Sequence, residues 1–135
     1  MIKKINHIVI AVKNLGLSSD LFNKLFDQST PHTESVPEQN ATIAFYPISE
    51  SSIELIESDS SNSTISKFIE KRGEGIHHIC LEVDNIKNEI ERLKNLDFQF
   101  INDIPSEGGN GYWVAFIHPK SANGVLIELC EKIKL

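Results

Sequence analysis

The stretch His7-Ile-Val-Ile-Ala-Val-Lys-Asn-Leu15 occurs twice in this chain in closely related form. It returns as His78-Ile-Cys-Leu-Glu-Val-Asp-Asn-Ile86, with the histidine, an isoleucine, a valine and the asparagine in register. Each copy has the pattern of a nearly continuous apolar strand that runs toward the start of a helix. A repeat of this kind indicates two copies of one structural unit.

A second pair of segments continues the repeat further along the chain. Ile43-Ala44-Phe45, followed by Ile53-Glu54-Leu55, corresponds to Val114-Ala115-Phe116, followed by Ile127-Glu128-Leu129. Each copy therefore supplies one histidine and one glutamate. An imidazole and a carboxylate from each of two related units predict a pseudo-twofold cleft that holds a four-ligand metal site.

Length and composition exclude several classes of protein. A chain of 135 residues fits one compact domain and leaves no room for a second. The net charge of −6 argues against a nucleic-acid partner. No apolar run approaches the roughly 20 residues of a membrane-spanning helix, and the first residues lead directly into a strand, so we expect no membrane association and a cytoplasmic location. The two cysteines form no CxxC motif, which agrees with a reducing compartment.

Residue periodicity predicts an α+β fold made of two βαβββ modules within a single domain of residues 1–135, with module one at about 3–58 and module two at about 74–131. We predict strands at 5–12, 32–36, 41–48, 51–57, 76–83, 98–103, 112–118 and 125–130, and helices at 14–27, 65–71 and 86–96. In the first helix, Leu17, Leu21 and Leu25 have helical spacing and Phe22 and Phe26 broaden the stripe, so this side is predicted to cover the aliphatic face of the first strand. Ser18 or Ser19 is the predicted N-terminal cap. In the last helix, the predicted buried face contains Ile86, Ile90 and Leu93.

The candidate metal ligands are His7, Glu54, His78 and Glu128. Each glutamate lies in mid-strand between aliphatic residues that must point the other way, and a buried carboxylate is costly without a partner. The alternative is that both glutamates face solvent and that the histidines are hydrogen-bonded core residues. The register of all four positions in the repeat favours the metal site.

Other polar residues near these positions are weaker candidates for metal ligands or substrate contacts. His77 adjoins His78 but points to the opposite face of its strand, which favours a supporting role over ligation. Cys80 and Cys130 are each two residues from a candidate ligand, yet small buried thiols are common core residues, and we favour that interpretation. Lys120 follows His118-Pro119 in a turn, where it is either a surface residue or a cationic contact for a substrate anion.

Longer strings of the sequence carry a resemblance over about residues 3–131. They are Asn6-His-Ile-Val-Ile-Ala-Val12, Pro37-Glu-Gln39, Ile53-Glu-Leu-Ile-Glu57, Gly73-Glu-Gly-Ile-His-His-Ile-Cys-Leu-Glu-Val-Asp84, Phe116-Ile-His-Pro-Lys-Ser121 and Gly124-Val-Leu-Ile-Glu-Leu129. Together they resemble the methylmalonyl-CoA epimerase family of the vicinal oxygen chelate (glyoxalase/bleomycin resistance) superfamily. The resemblance implies a glyoxalase-like fold with one curved-sheet metal-binding cleft. It also places the family's metal ligands on His7, Glu54, His78 and Glu128.

The resemblance further implies an isomerase that interconverts (R)- and (S)-methylmalonyl-CoA by abstracting the α-proton through a metal-stabilised enolate. The implied cofactor is one divalent ion per chain, cobalt first, with nickel, zinc and manganese as alternatives. Because Glu54 and Glu128 come from different modules, both are candidate catalytic acid/base groups, one for each face of the substrate. Lys120 is the candidate substrate-binding residue. The implied partners are an acyl-CoA thioester and a second copy of the chain in a homodimer.

Two other functions remain open at this point. A lactoylglutathione lyase-like isomerase would use the same ligand pattern and the same enolate chemistry on a glutathione adduct. A metal-free protein of this fold would bind a small molecule without turning it over. Retention of all four ligand-type residues argues against the metal-free alternative.

Overall fold

The computed structural model describes residues 1–29, 31–37 and 40–134, and within these residues it contains eight strands and three α-helices. The strands are β1 (Ile2–Ala11), β2 (His32–Val36), β3 (Ala41–Ile48), β4 (Ser51–Ser58), β5 (Gly75–Val83), β6 (Phe100–Glu107), β7 (Tyr112–Ile117) and β8 (Ile127–Lys132). The helices are α1 (Leu15–Phe26), α2 (Thr64–Arg72) and α3 (Ile86–Asn95). The predicted α+β class and the βαβββ order are confirmed. Glu38 and Gln39, which carry part of the family resemblance, lie outside the described residues.

The chain forms two compact units. The terminal unit contains residues 1–7 and 78–135, and the central unit contains residues 8–77. Strand β1 begins in the terminal unit and ends in the central unit, whereas β5 does the opposite. None of the helices among the described residues is both long and apolar enough to cross a membrane.

The terminal unit has the strand order β1-β5-β8-β7-β6. Strands β5 and β8 are parallel, and their register places Cys80 opposite Glu128. Helix α3 begins after the cap Asn85, whose side chain accepts a hydrogen bond from the backbone N–H of Asn88. Its predicted face is confirmed: Ile86, Ile90 and Leu93 are buried in one cluster with residues of β5, β7 and β8.

The central unit has the strand order β2-β3-β4-β1, with β2, β3 and β4 antiparallel. The backbone N–H of Val12 donates to the carbonyl of Ile56, so the end of β1 lies beside β4. Small residues let the layers approach closely, since Ala11, Ala41 and Ala44 are all buried. Helix α2 packs Ile65 into the cluster that contains Ala11 and Ala41.

The face predicted for α1 is right for its two phenylalanines and wrong for its three leucines. Leu17, Leu21 and Leu25 are 71%, 64% and 69% exposed, whereas Phe22 and Phe26 pack against the core. The two phenylalanine rings contact the ring of the fully buried Tyr46, with centroids 6.4 and 5.2 Å from it. The larger aromatic rings, and not the leucines, therefore occupy the core-facing side of α1.

Two further contacts fix this orientation of α1. The hydroxyl of Tyr46 donates to the backbone carbonyl of Ser19 at 3.2 Å and to Asn23 Oδ1 at 2.8 Å. The helix is capped by Asn14, whose side chain accepts from the N–H of Leu17, and not by Ser18 or Ser19 as predicted. The helix consequently starts earlier than a serine cap would allow.

Candidate metal centre

Three of the predicted ligands meet in the terminal unit. His7 lies on β1, His78 on β5 and Glu128 on β8. Glu128 Oε1 lies 3.3 Å from His7 Nε2 and 3.1 Å from His78 Nε2, and the two imidazole rings stand nearly perpendicular with centroids 5.7 Å apart. One carboxylate oxygen and two ring nitrogens thus converge on one point, as a metal site requires.

Strand pairing explains why these residues meet. Because β5 and β8 are parallel with Cys80 opposite Glu128, His78 lies one pleat away from the carboxylate on the same side of the sheet. On the other side of β8, the antiparallel strand β7 places Phe116 opposite Glu128. The Phe116 ring contacts His78 edge-on, with centroids 5.7 Å apart at 82°. Sequence reasoning did not identify this aromatic wall, since only the pairing of β7 with β8 brings it to the site.

The electrostatics of the site favour a carboxylate. Glu128 is 8% exposed, and burial alone would raise its pKa, but the hydrogen bonds from His7 and His78 and the electrostatic attraction of the two rings outweigh that effect and lower the pKa to about 2. The carboxyl group is therefore ionised at neutral pH. An ionised carboxylate buried between two imidazoles is a donor set that suits a divalent first-row metal.

Cys80 lies closer to the site than its sequence position indicated. Ligand atoms of His7, Cys80 and Glu128 all lie within 4.8 Å of one another. The thiol hydrogen bond with Cys130, together with burial and the charge of Glu128, raises the pKa of Cys80 far above its usual range. Both cysteines are buried, which agrees with the predicted core role.

The fourth predicted ligand, Glu54, belongs to the central unit. It lies on β4 opposite Phe45, is 8% exposed, and accepts a hydrogen bond from the Ser52 hydroxyl at 3.2 Å. The solvent-facing alternative is therefore wrong for both glutamates, because each carboxylate is buried. A buried carboxylate is stabilised by hydrogen bonds, by a partner of opposite charge or by a metal.

His77 and Lys120 have different surroundings. The His77 ring lies edge-on against Phe68, with centroids 5.0 Å apart, in the central unit. Lys120 is exposed in a short 3-10 turn, Pro119–Ser121, and its backbone N–H donates to His118 Nδ1 at 3.0 Å. His118 is thus the cap of this turn, which leaves the lysine ammonium group at the protein surface.

Comparison with known proteins identifies the superfamily and the family of this chain. The sequence profile described as the glyoxalase/bleomycin resistance protein/dioxygenase superfamily matches residues 6–116 and places the chain in that superfamily. The mitochondrial methylmalonyl-CoA epimerase of Dictyostelium discoideum is 39% identical over 97% of this chain and 80% of its own length. The ethylmalonyl-CoA/methylmalonyl-CoA epimerase of Cereibacter sphaeroides is 34% identical over 96% of this chain and 98% of its own.

A solved structure of a methylmalonyl-CoA epimerase in complex with methylmalonyl-CoA and NH4+ is also similar. It has a TM-score of 0.85 and 28% identity, and the match covers 98% of this chain and 96% of that one. The chain belongs to the methylmalonyl-CoA epimerase family. The resemblance seen in the sequence, and with it the prediction of an enzyme of this family, is confirmed.

Proposed function

We propose that the protein interconverts (R)- and (S)-methylmalonyl-CoA by removing and returning the α-proton, and that it needs one divalent metal ion to do so. The convergence of His7, His78 and Glu128 on one point supports this proposal most directly. In it, Glu54 is the fourth ligand, which rests on its place in the repeat and on its burial. When bound, a divalent ion would act as a Lewis acid that polarises the thioester carbonyl and makes the hydrogen on the α-carbon more acidic.

The chain's own residues hold and move the proton. Loss of the α-proton leaves a planar enolate, and a proton returned to either face gives either enantiomer. We propose Glu54 and Glu128 as the groups that act on the two faces. Glu128 is ionised at neutral pH and so is in the form that accepts a proton, but a pKa of about 2 makes it a weak base. A comparison of the two glutamates therefore tests how the work is divided between them.

Lys120 is proposed to contact a phosphate or carboxylate of the substrate. Its support is its charge and its position in an exposed turn that follows β7. Lysine offers a compact, strongly hydrated point charge that binds such anions without demanding one geometry.

Cobalt as the native ion, a homodimer and a cytoplasmic location are further proposals that rest on the family resemblance and on composition. Light scattering tests the dimer, and elemental analysis of protein purified without added metal tests the ion.

The decisive experiment is isotope exchange. Metal-loaded protein is incubated with one enantiomer of methylmalonyl-CoA in deuterated water, and α-deuterium incorporation and inversion are measured. We expect both, and both should disappear after chelation and return on metal addition. Absence of exchange in the loaded protein would refute the epimerase, and full activity without metal would refute the metal requirement. Ethylmalonyl-CoA is a second substrate to compare, because one relative is named for both thioesters.

A further inference from the structure

A chain of hydrogen bonds leads from Glu82 through Asn6 to His7, all within the terminal unit. Asn6 Nδ2 donates to Glu82 Oε1 at 2.8 Å, and Asn6 Oδ1 lies 2.8 Å from His7 Nδ1. The hydroxyl of Tyr112 also approaches Glu82 Oε1, at the long distance of 3.5 Å. Asn6, His7 and Glu82 are all partly buried.

The donor and acceptor inventory of these groups fixes their orientations. A carboxylate has only acceptor atoms, so Glu82 must face the NH2 group of the Asn6 amide. The amide oxygen of Asn6 is then turned toward His7. Because this oxygen can only accept, His7 Nδ1 must carry the hydrogen. With Nδ1 protonated toward Asn6, Nε2 is the ring nitrogen left to bind a metal. In the metal-free chain Nε2 can carry a second hydrogen and donate to Glu128, which lies 3.3 Å away.

We propose that Asn6 is a positioning residue that sets the tautomer and ring orientation of His7 for metal binding, and that Glu82 holds Asn6 in the required orientation. Metal-ligating histidines generally donate their second ring N–H to such a partner, which orients the ring and raises its basicity. This inference rests on the proposed metal site. It concerns one module, because the corresponding position of the repeat holds His77, whose ring lies against Phe68.

Replacement of Asn6 by alanine removes the acceptor for the His7 N–H. We expect Asn6→Ala to weaken binding of Co2+ by about 10- to 100-fold, the usual range for loss of such a partner. The matched control is Asn88→Ala on the exposed side of α3, which should leave the affinity unchanged. Titration with Co2+, followed by its visible absorption, measures both variants.

A double variant separates positioning from general structural damage. Asn6→Asp keeps an oxygen for His7 but sets a second carboxylate against Glu82, so on its own it should also weaken binding. Addition of Glu82→Gln supplies an NH2 group that donates to the new carboxylate and should restore the affinity. Glu82→Gln alone keeps an oxygen that accepts from the Asn6 amide and should bind nearly like the wild type. Rescue of Asn6→Asp by the second substitution supports the proposed chain of hydrogen bonds. Wild-type binding by Asn6→Asp, or no gain in the double variant over Asn6→Asp, refutes it.

The tautomer is also measurable without metal. In 15N-labelled, metal-free protein, long-range 1H–15N correlations show which nitrogens of the His7 ring are protonated. We expect Nδ1 to carry a hydrogen in the wild type, in the neutral or the charged ring, and a larger share of rings protonated on Nε2 alone in Asn6→Ala. A wild-type ring protonated on Nε2 alone would overturn the inference. Failure of the wild type to bind Co2+ would instead refute the proposed metal site, and the metal-free measurement would still decide the role of Asn6.

Discussion

Strands β1 and β5 present equivalent histidines but support them differently. In β1 the residue before the histidine, Asn6, contacts the ring of His7, whereas in β5 the residue before His78 is His77, which packs on Phe68. The two glutamates also differ, because Glu128 lies against both imidazoles while the Glu54 carboxylate accepts from the Ser52 hydroxyl. The two copies of the repeat thus share the candidate ligand residues but differ in the residues around them. Equivalent positions can therefore contribute different free energies to metal binding.

The largest asymmetry should appear in catalysis at the two glutamates. Glutamine keeps an oxygen that can bind a metal but cannot accept a proton as a carboxylate does. We expect Glu128→Gln to retain metal while epimerisation falls by roughly 10²-fold or more. With one enantiomer in deuterated water, this variant should exchange its proton faster than it inverts, because it retains Glu54, the proposed base for the other face. Glu91→Gln on the exposed side of α3 is the control. Wild-type rates in both Glu54→Gln and Glu128→Gln would show that other groups move the proton.

The next contrast lies between the two neighbouring histidines of β5. We expect His78→Ala and His7→Ala to weaken metal binding beyond the 10- to 100-fold typical of a supporting residue, because each removes a proposed ligand. His77→Ala should change metal affinity much less, since its ring faces Phe68. Calorimetric titration with Zn2+ or Co2+ measures all three variants. Equal losses of metal affinity in His77→Ala and His78→Ala would contradict the prediction that His78, and not His77, lies on the side of β5 that faces the candidate site.

Helices α1 and α3 offer the corresponding contrast in stability. Ile90→Ala empties a buried position on α3 and should cost about 2 to 5 kcal/mol of unfolding free energy. Leu21→Ala removes an exposed side chain from α1 and should cost less than about 0.5 kcal/mol. Urea unfolding of the metal-free variants gives both values. A large loss in Leu21→Ala would mean that the leucine face of α1 is covered in solution.

The shared carboxylate should also respond to acid. In the folded, metal-free chain the pKa of Glu128 is about 2, below its ordinary value of 4.5. A lowered pKa adds stability that is present above pH 4.5 and is lost as the pH falls through 2, on the order of 3 kcal/mol in total. The difference in unfolding free energy between wild type and Glu128→Gln should therefore shrink as the pH falls from about 5 to about 2. A constant difference over this range would show that His7 and His78 do not stabilise the charged form.

The smallest effect is expected at Lys120. Lys120→Ala should raise KM a few-fold and leave kcat nearly unchanged, because an exposed charge binds the ground state and the transition state alike. Lys87→Ala, on the exposed side of α3, should change neither constant. An unchanged KM in Lys120→Ala would leave the lysine as an ordinary surface residue.

Much of the fold was predictable because it is encoded locally. Alternation placed β3 at Ala41–Ile48, and the apolar spacing of α3 identified its buried face. The buried face of helix α1 was harder to predict. The helix carries leucines and phenylalanines on more than one side, and periodicity alone does not choose between them. The hydroxyl and ring of Tyr46 make that choice, and they come from a distant strand.

The candidate site shows the same division between local and long-range information. The repeat register identified His7, His78 and Glu128, which the structure brings together. It gave no sign of the contact between Asn6 and Glu82, of Phe116, or of how near Cys80 lies to Glu128. These contacts depend on which strands pair and in which register, and a single sequence does not display that pairing.

The split of β1 between the two units has a consequence for the order of folding during synthesis. The central unit is continuous in sequence, so all of its partners have emerged once residue 77 is made. The terminal unit joins the first seven residues to a segment that begins at residue 78, and closing so long a loop is entropically costly and slow. Glu128 lies on β8, which follows every other described strand along the chain, so the candidate ligands His7 and Glu128 can meet only after β8 has been made. We expect metal capture to be a late event in folding.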